Sequence, residues 1–512
     1  MKSNIFDKSV QSNKKFWSKV NKKDGSNGCL LYEMFYAEPS MNYGISKIAL
    51  SIAKIKGLRP ICITGLRGKK ERFDLINSMS ETVVGNPFNF FLSSLKNSLN
   101  LLRVIFSINN KKDLINLKID KYHIGPYIYD AILRVLNLTE VNTMTFSIKK
   151  VIILELGYFY LFKGLLKKYN LKTIVLGDNV YRCGLLFELA KHNGIECITP
   201  INLNTFSMRK YLKFKEFNIH DRRPELNILD QLSHDMVAKY NENYFKKRFS
   251  ANLEQHDVLK AFSNSKNIYS REELVKQYNL KTDLPIIGLM AHIFCDAPHA
   301  YPDTLYDDHK EWIVSTVKAL KKNNKINFLI KEHPSFSLYN EDGVMSSILK
   351  ELNCEKFLLK DDVHSLTILN EFDVVITCGG TIGQEFTYKG KPVVLGAKPP
   401  YSGFGFTEEP KNKEEYEGLL ESGIEKLPLL SQEQKNIASK VMYYDFVLLD
   451  NYSDDLEIGG QRFYMGRDFD YDKFYEQILL YNKTPLEDQK IYKILNKFIK
   501  SDSRHILNNF NG

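Results

Sequence analysis

No two cysteines of this chain stand close enough to make a CxxC pair, and the seven present are odd in number and far apart. That excludes a disulfide framework and a zinc ribbon, and it fits reduced, buried thiols in a cytosolic protein. Nor is there a long apolar run. The most apolar window, 151–165, carries Glu155 and Lys163 and falls short of the ~20 residues that span a bilayer. The N-terminus starts positive but has no apolar stretch behind it, so neither a membrane span nor an export signal is expected. Internal repeats, low-complexity tracts and a concentrated basic stripe are also missing, which argues against a solenoid, a disordered chain and a nucleic-acid partner.

What is present suits a large folded protein. With 512 residues, 43% of them hydrophobic and 12% aromatic, the chain has material for two to four domains of about 100–200 residues each. Lys and Arg number 71 against 61 Asp and Glu, a net charge of +10. Spread over such a length, that charge permits an anionic partner without identifying one.

Strand-like and helix-like segments alternate. Residues 29–35 (CLLYEMF) predict a strand, followed by a loop with Glu38, Pro39 and Gly44, a helix over 45–56 and a second strand at 60–64. The order recurs at 173–176, 181–192 and 196–199, giving parallel βαβ units whose ligand edge is the C-terminal end of the strands. A second series begins at 285–291 (PIIGLMA), with a helix over 305–322 and further strands at 326–330, 356–359, 373–377 and 392–395. The expected fold class is α/β of GT-B type: two Rossmann-like, doubly wound domains facing a cleft, with a helical connector and C-terminal helices. The expected boundaries are 1–220 for an acceptor-side domain, 221–280 for the connector, 281–410 for a nucleotide-sugar-binding domain and 411–512 for a helical tail. Between the first two βαβ units, residues 92–121 form a basic amphipathic stretch. It reads either as helix packed on its own domain or as a segment for an anionic membrane surface.

Three motifs carry chemistry. In ITCGGTIGQEFTYKGKPVVL, a strand ends at Thr377, and Gly379, Gly380 and Thr381 turn into a helix start suited to a nucleotide phosphate. Glu385, one turn on, could accept ribose hydroxyls; a helix cap with a surface Glu is the plainer reading. Tyr401 and Thr407 follow on the loop beyond the next strand. In the second motif, Lys331-Glu332-His333-Pro334, the proline holds His333 at a strand tip, where it could donate to a phosphate and, if protonated, offset leaving-group charge. The third, His292 to His299, includes Asp296 but lacks tetrahedral ligand spacing, so no metal is expected. Asp296, His292 or, in the first half, Asp178 are candidates for orienting or deprotonating an acceptor. Glu33 and Glu38 hold comparable strand-end positions.

His333-Pro334, then Gly379-Gly380-Thr381-Ile382-Gly383-Gln384-Glu385, then Gly390-Lys391-Pro392-Val393 resemble the C-terminal domain of bacterial capsule polysaccharide biosynthesis glycosyltransferases, a group that includes capsule-linker Kdo transferases. The resemblance covers about 285–410. It implies donor contacts from His333 and Thr381, with Glu385 on the ribose or its helix; a departure is Gly379-Gly380-Thr381 where relatives have Ser-Ser or Ser-Thr. With Lys331, Pro334, Thr377, Gly379, Gly380, Tyr401 and Thr407 these form the expected donor set. The expected function is a cytoplasmic glycosyltransferase, without cofactor or metal, moving a sugar from a CMP- or NDP-linked donor to a glycan or lipid-linked glycan, with the inner-membrane surface as a second location. An epimerase on the same fold and a non-catalytic binding subunit of a capsule assembly complex are the alternatives.

Overall fold

The computed structural model describes the chain except residues 1–3, 21–26, 36–37, 66–69, 81–82, 85–86, 203–205, 250–255, 302, 450–469 and 508–512. Parts of the expected connector (250–255) and tail (450–469) therefore lie outside the described residues. The chain divides into two units. Unit 1 comprises 1–131, 142–218 and 449–512; unit 2 comprises 132–141 and 219–448.

Unit 1 is built on strands β1 (Cys29–Met34), β2 (Arg59–Thr64), β3 (Val83–Val84), β6 (Leu171–Val175), β7 (Glu196–Asn202) and β8 (Ser207–Tyr211), in the order β3-β2-β1-β6-β7-β8. All pairs are parallel except β7 with β8. The small antiparallel pair β4 (Lys118–Ile119) and β5 (Tyr122–His123) stands apart from it. The helix Pro39–Lys56 crosses from β1 to β2. Pro39 suits its first turn, where the N–H would be unpaired anyway, and Gly57 ends it at φ 66°, a left-handed position that glycine takes without strain. The order reverses between β1 and β6, and there Glu33, fully buried, accepts from the Gly177 N–H at 2.7 Å and the Phe35 N–H at 2.8 Å. Burial raises its pKa against the pull of those two bonds.

The end of the chain belongs to this unit. Phe474, Ile491, Leu495 and Phe498 enter the same core as Leu30, Tyr32, Ile48 and Ile52. The Lys210 ammonium donates to the carbonyls of Phe498 (2.8 Å) and Ser501 (2.6 Å). The sequence reading keeps 411–512 as one tail, whereas the contacts leave 411–448 with unit 2 and give 449–512 to unit 1. β7 also runs beyond the predicted 196–199, through Pro200. Its register with the added antiparallel strand β8 shifts between Pro200 and Asn202, as expected where proline offers no N–H.

Unit 2 is built on β9 (Ile286–Met290), β10 (Asn327–Lys331), β11 (Val374–Thr377) and β12 (Val393–Leu395), all parallel, in the order β10-β9-β11-β12. The helix of the first crossover starts at His309, not 305, because the Asp308 carboxylate caps it by accepting from the Glu311 N–H at 2.8 Å. The strand expected at 356–359 is instead a single 3-10 turn, Glu355–Phe357. It joins the sheet only as an isolated parallel bridge between Leu358 and Ile330, with the Leu359 N–H donating to the Ile330 carbonyl at 2.8 Å. The stretch read as a connector packs within this unit: helix His234–Phe249 lies against helices Gln432–Tyr443 and Tyr444–Leu448. All seven cysteines are buried free thiols. Among the described residues, no helix is long and apolar enough to cross a membrane.

These strand orders define two Rossmann-like, doubly wound units in one chain, the pair of domains from which the GT-B class is built.

Candidate functional site

In unit 2 the strand order reverses between β9 and β11, and three strand ends meet there: β9 running into Ala291 and His292, β10 into Glu332, His333 and Pro334, β11 into Gly380 and Thr381. Open parallel sheets leave a crevice at that point, since adjacent crossovers go to opposite faces. The crevice is a pocket with about 690 Å³ of open space, floored by these residues and walled by Val258, Phe262 and Ile368.

His333 is held by its neighbour: Nδ1 accepts from the Ser335 N–H at 3.1 Å. Burial, and next His292, press its pKa down to about 3. The ring is therefore neutral at physiological pH, and with Nδ1 accepting, its one proton sits on Nε2, the nitrogen left to donate. The protonated form considered from sequence is not the one this environment favours. His292 also lines the pocket, stacked on His309 at 4.4 Å and 6.0 Å from His333. Its Nδ1 lies 3.3 Å from the Ile293 carbonyl, which can only accept. The loop carrying it is pinned by Glu341, whose carboxylate accepts from the N–H groups of Phe294 (2.9 Å) and Cys295 (2.8 Å). Asp296 lies on the same loop, half-buried.

Around the Gly-Gly-Thr turn, each residue has a separate task. Thr377 Oγ1 accepts from the Gly380 N–H at 3.0 Å, closing the turn on itself, so this N–H is already satisfied. A Cβ at Gly379 would overlap the Tyr301 ring, and one at Gly383 the Tyr401 hydroxyl. These two glycines are demanded by aromatic packing. Tyr401, fully buried, donates to the Gly380 carbonyl at 2.8 Å. Thr407 donates to Glu409 at 2.7 Å, and neither it nor Tyr401 lines the pocket. The helix begins at Ile382, one residue after the expected start near Thr381, and the Thr381 hydroxyl caps nothing and instead accepts from Arg248 at 3.1 Å.

Arg248, from the helix His234–Phe249, was invisible to the sequence reading. It is buried, lines the pocket, and donates to the carboxylate of Glu385. Glu385 is thus a buried partner of a guanidinium rather than a surface acid. Behind it, Gln384 donates to Asp445 at 2.7 Å, and Asp445 also accepts from Arg222 at 2.6 Å. Lys331 contributes its side chain to the wall, while its ammonium donates to the Val363 carbonyl at 3.0 Å. Burial, and next Lys266, lower its pKa to about 8. Burial and Asp361 raise that of Glu332.

The structure thus brings together Lys331, His333, Pro334, Thr377, Gly380, Thr381, Glu385 and His292 in one pocket. Gly379 and Tyr401 stand behind it as packing residues, and Thr407 is bonded elsewhere. Asp178 belongs to unit 1, where its carboxylate accepts from the Asn179 N–H at 2.7 Å and the Val180 N–H at 3.2 Å. Among the described residues, no three His, Cys, Asp or Glu side chains gather as a metal site. No local signal marks Arg248, Phe262 or Ile368. Arg248 and Ile368 sit on helices and Phe262 directly after one, and the relation of each to the pocket is purely tertiary.

No family model and no curated protein matches the chain. Solved structures do. The beta Kdo 2,4 transferase of Thermosulfurimonas dismutans KpsC is similar at 14% identity, over 53% of this chain and 79% of that one, with a TM-score of 0.33. A glycosyltransferase from Rickettsia africae is similar at 14% identity, over 92% and 99%, with a TM-score of 0.28. The UDP-GlcNAc 2-epimerase from Neisseria meningitidis, bound to UDP-GlcNAc, is similar at 10% identity, over 82% and 99%, with a TM-score of 0.20. Kdo transferases of the kind the 285–410 motifs resemble are thus among the structures similar to this chain. With TM-scores this low, the fold assignment rests on the strand orders given above.

Proposed function

We propose that this protein is a glycosyltransferase that takes a sugar from a nucleotide-activated donor and passes it to a capsule or other surface-glycan acceptor. The observation that carries the reading is the pocket at the strand-order reversal of unit 2, where the Nε2–H of His333 and the hydroxyl of Thr381 border one crevice with apolar walls. A nucleotide needs that combination: apolar surface for its base and a few fixed donors for its polar groups.

In this reading His333 donates from Nε2 to a donor phosphate oxygen. As a neutral donor it stabilises charge that builds on the leaving phosphate without itself having to gain a proton. The Arg248–Glu385 pair fixes Thr381 and the helix start, so the hydroxyl is held before the donor arrives. His292, which lines the same pocket, is the first candidate to orient or deprotonate the acceptor hydroxyl, ahead of Asp296 and Asp178. Formal charges around the pocket nearly cancel, Arg248 and Lys331 against Glu332 and Glu385. Binding therefore depends on placed hydrogen bonds more than on attraction of anions.

A thermal-shift screen against CMP, CDP, UDP and GDP tests it, because a nucleotide at about 100 times its dissociation constant stabilises by roughly 2.7 kcal/mol. One or more should raise the melting temperature, and His333→Ala should abolish the rise; silence with all four would overturn the donor site. If a nucleotide sugar incubated alone with the protein became an isomeric nucleotide sugar, the epimerase reading would replace this one.

A further inference from the structure

Unit 1 carries a surface that the proposed reaction does not use. Helices Pro87–Lys96 and Ser98–Ser107 pack on the long helix Phe146–Lys168. Leu101 turns inward and is buried, and Phe90 meets Tyr158 at 5.0 Å. On the outer side, Phe91, Leu95, Leu99, Leu102 and Phe106 stand exposed, Leu99 at 82% and Phe106 at 77%. Phe91 and Leu95 are four residues apart on the first helix, and Leu99, Leu102 and Phe106 are three and four apart on the second, so at 3.6 residues per turn each set shares one face of its helix. Phe146, on the first turn of the long helix, is exposed as well, at 73%. Scattered exposed apolar residues are ordinary, but five large ones within sixteen residues on two successive helices mark a contact surface.

The charges around it choose the occupant. No Asp or Glu lies between Glu81 and Asp113, while Lys96, Arg103, Lys111 and Lys112 all do, and Lys149 and Lys150 follow Phe146 on the neighbouring helix. Lys96, Arg103, Lys112 and Lys150 are exposed. A second copy docking face to face would set Lys96 and Arg103 against their own duplicates with no acid to answer them. A surface of anionic headgroups over hydrocarbon meets both halves of the pattern: apolar side chains enter the acyl boundary while Lys and Arg sit among the phosphates. Helices of ten residues are too short to span, so they would lie in the interface plane.

We propose that the face formed by Phe91, Leu95, Leu99, Leu102 and Phe106, rimmed by Lys96 and Arg103, docks unit 1 on an anionic lipid bilayer. The surface is independent of the donor pocket and stands whether or not the transferase reading does. Co-sedimentation with vesicles of phosphatidylcholine alone, and of phosphatidylcholine with about one part in three phosphatidylglycerol, tests it. The full chain should partition onto the anionic vesicles about tenfold better than onto the neutral ones, and added salt should weaken the binding. Leu99→Glu with Phe106→Glu should cut binding by about tenfold, and Lys96→Glu with Arg103→Glu likewise. Because all four side chains are exposed, melting temperatures and nucleotide responses should stay those of the parent. Absence of binding to the anionic vesicles would overturn the proposal, as would parental binding by the Leu99→Glu, Phe106→Glu variant. So would a parent that sediments as a dimer which that variant converts to monomer, since the face would then belong to a second copy.

Discussion

The guanidinium of Arg248 donates to the carboxylate of Glu385 across 137 residues of sequence, and both side chains are buried. The pair ties a helix of the expected connector to the helix that starts the Gly-Gly-Thr site, and through Arg248 it reaches the Thr381 hydroxyl. Removing one charge strands the other in a dry setting, which costs more than the pair itself contributes.

Arg248→Ala or Glu385→Ala should therefore destabilise unit 2 by about 3–5 kcal/mol, whereas the apolar double replacement Arg248→Met, Glu385→Leu should recover much of that loss. Denaturant unfolding of the three variants checks it. The nucleotide response should remain weak even in the double variant, because Thr381 loses its anchor.

Acid should weaken the fold through His333. Its pKa is pressed from 6.5 to about 3 by burial, so the unfolded chain takes up a proton that the folded one refuses. The stabilisation from keeping the ring neutral is full above pH 6.5 and is lost as pH falls from there toward 3. The slope is at most about 1.4 kcal/mol per pH unit for one such group. Burial depresses His309 in the same direction. Melting temperature followed from pH 7.5 to 4.5, at about half-unit steps, should fall more gently in His333→Asn than in the parent.

Adjacent glycines of the turn should fail differently. Gly379→Ala drives a methyl group into the Tyr301 ring and should cost about 1–3 kcal/mol of stability. At Gly380 the nearest atom to an added Cβ is Thr377 Oγ1 at 3.1 Å, and the residue lines the pocket. Gly380→Ala should keep most of its stability and lose nucleotide response. Melting curves with and without nucleotide separate the two.

Thr377→Val removes the oxygen that accepts from the Gly380 N–H. The half-buried amide then turns to water in the pocket, so the loss should be about 0.5–1.5 kcal/mol, while Thr377→Ser should be near neutral. Amide hydrogen exchange at Gly380 gives a direct readout: faster in the valine variant, unchanged in the serine one.

The parts legible in the sequence were those governed by local rules. Short apolar runs bounded by glycine and proline gave the strands at 29–34, 286–290 and 374–377, because parallel strands buried on both faces leave a continuous apolar signal. Pro334 and the glycines at 379 and 380 located the two loops of the pocket, since they restrict the backbone wherever they stand. The predicted helix start at 305 erred because Leu305 fits the helical period, while the cap at Asp308 depends on a side-chain hydrogen bond.

Sequence alone determined the parallel α/β units and the strand-end positions of His292, His333 and Thr381, because periodicity and turn chemistry act within a few residues. Tertiary structure decided the rest. It set the charge state of His333 by burying it, assigned the glycines at 379 and 383 to aromatic packing, and brought Arg248 to Glu385. It also divided the helical tail between the two units and left Phe91, Leu95, Leu99, Leu102 and Phe106 facing outward. An amphipathic pattern says that a helix has an apolar face, and only the packing of its neighbours says whether that face is covered.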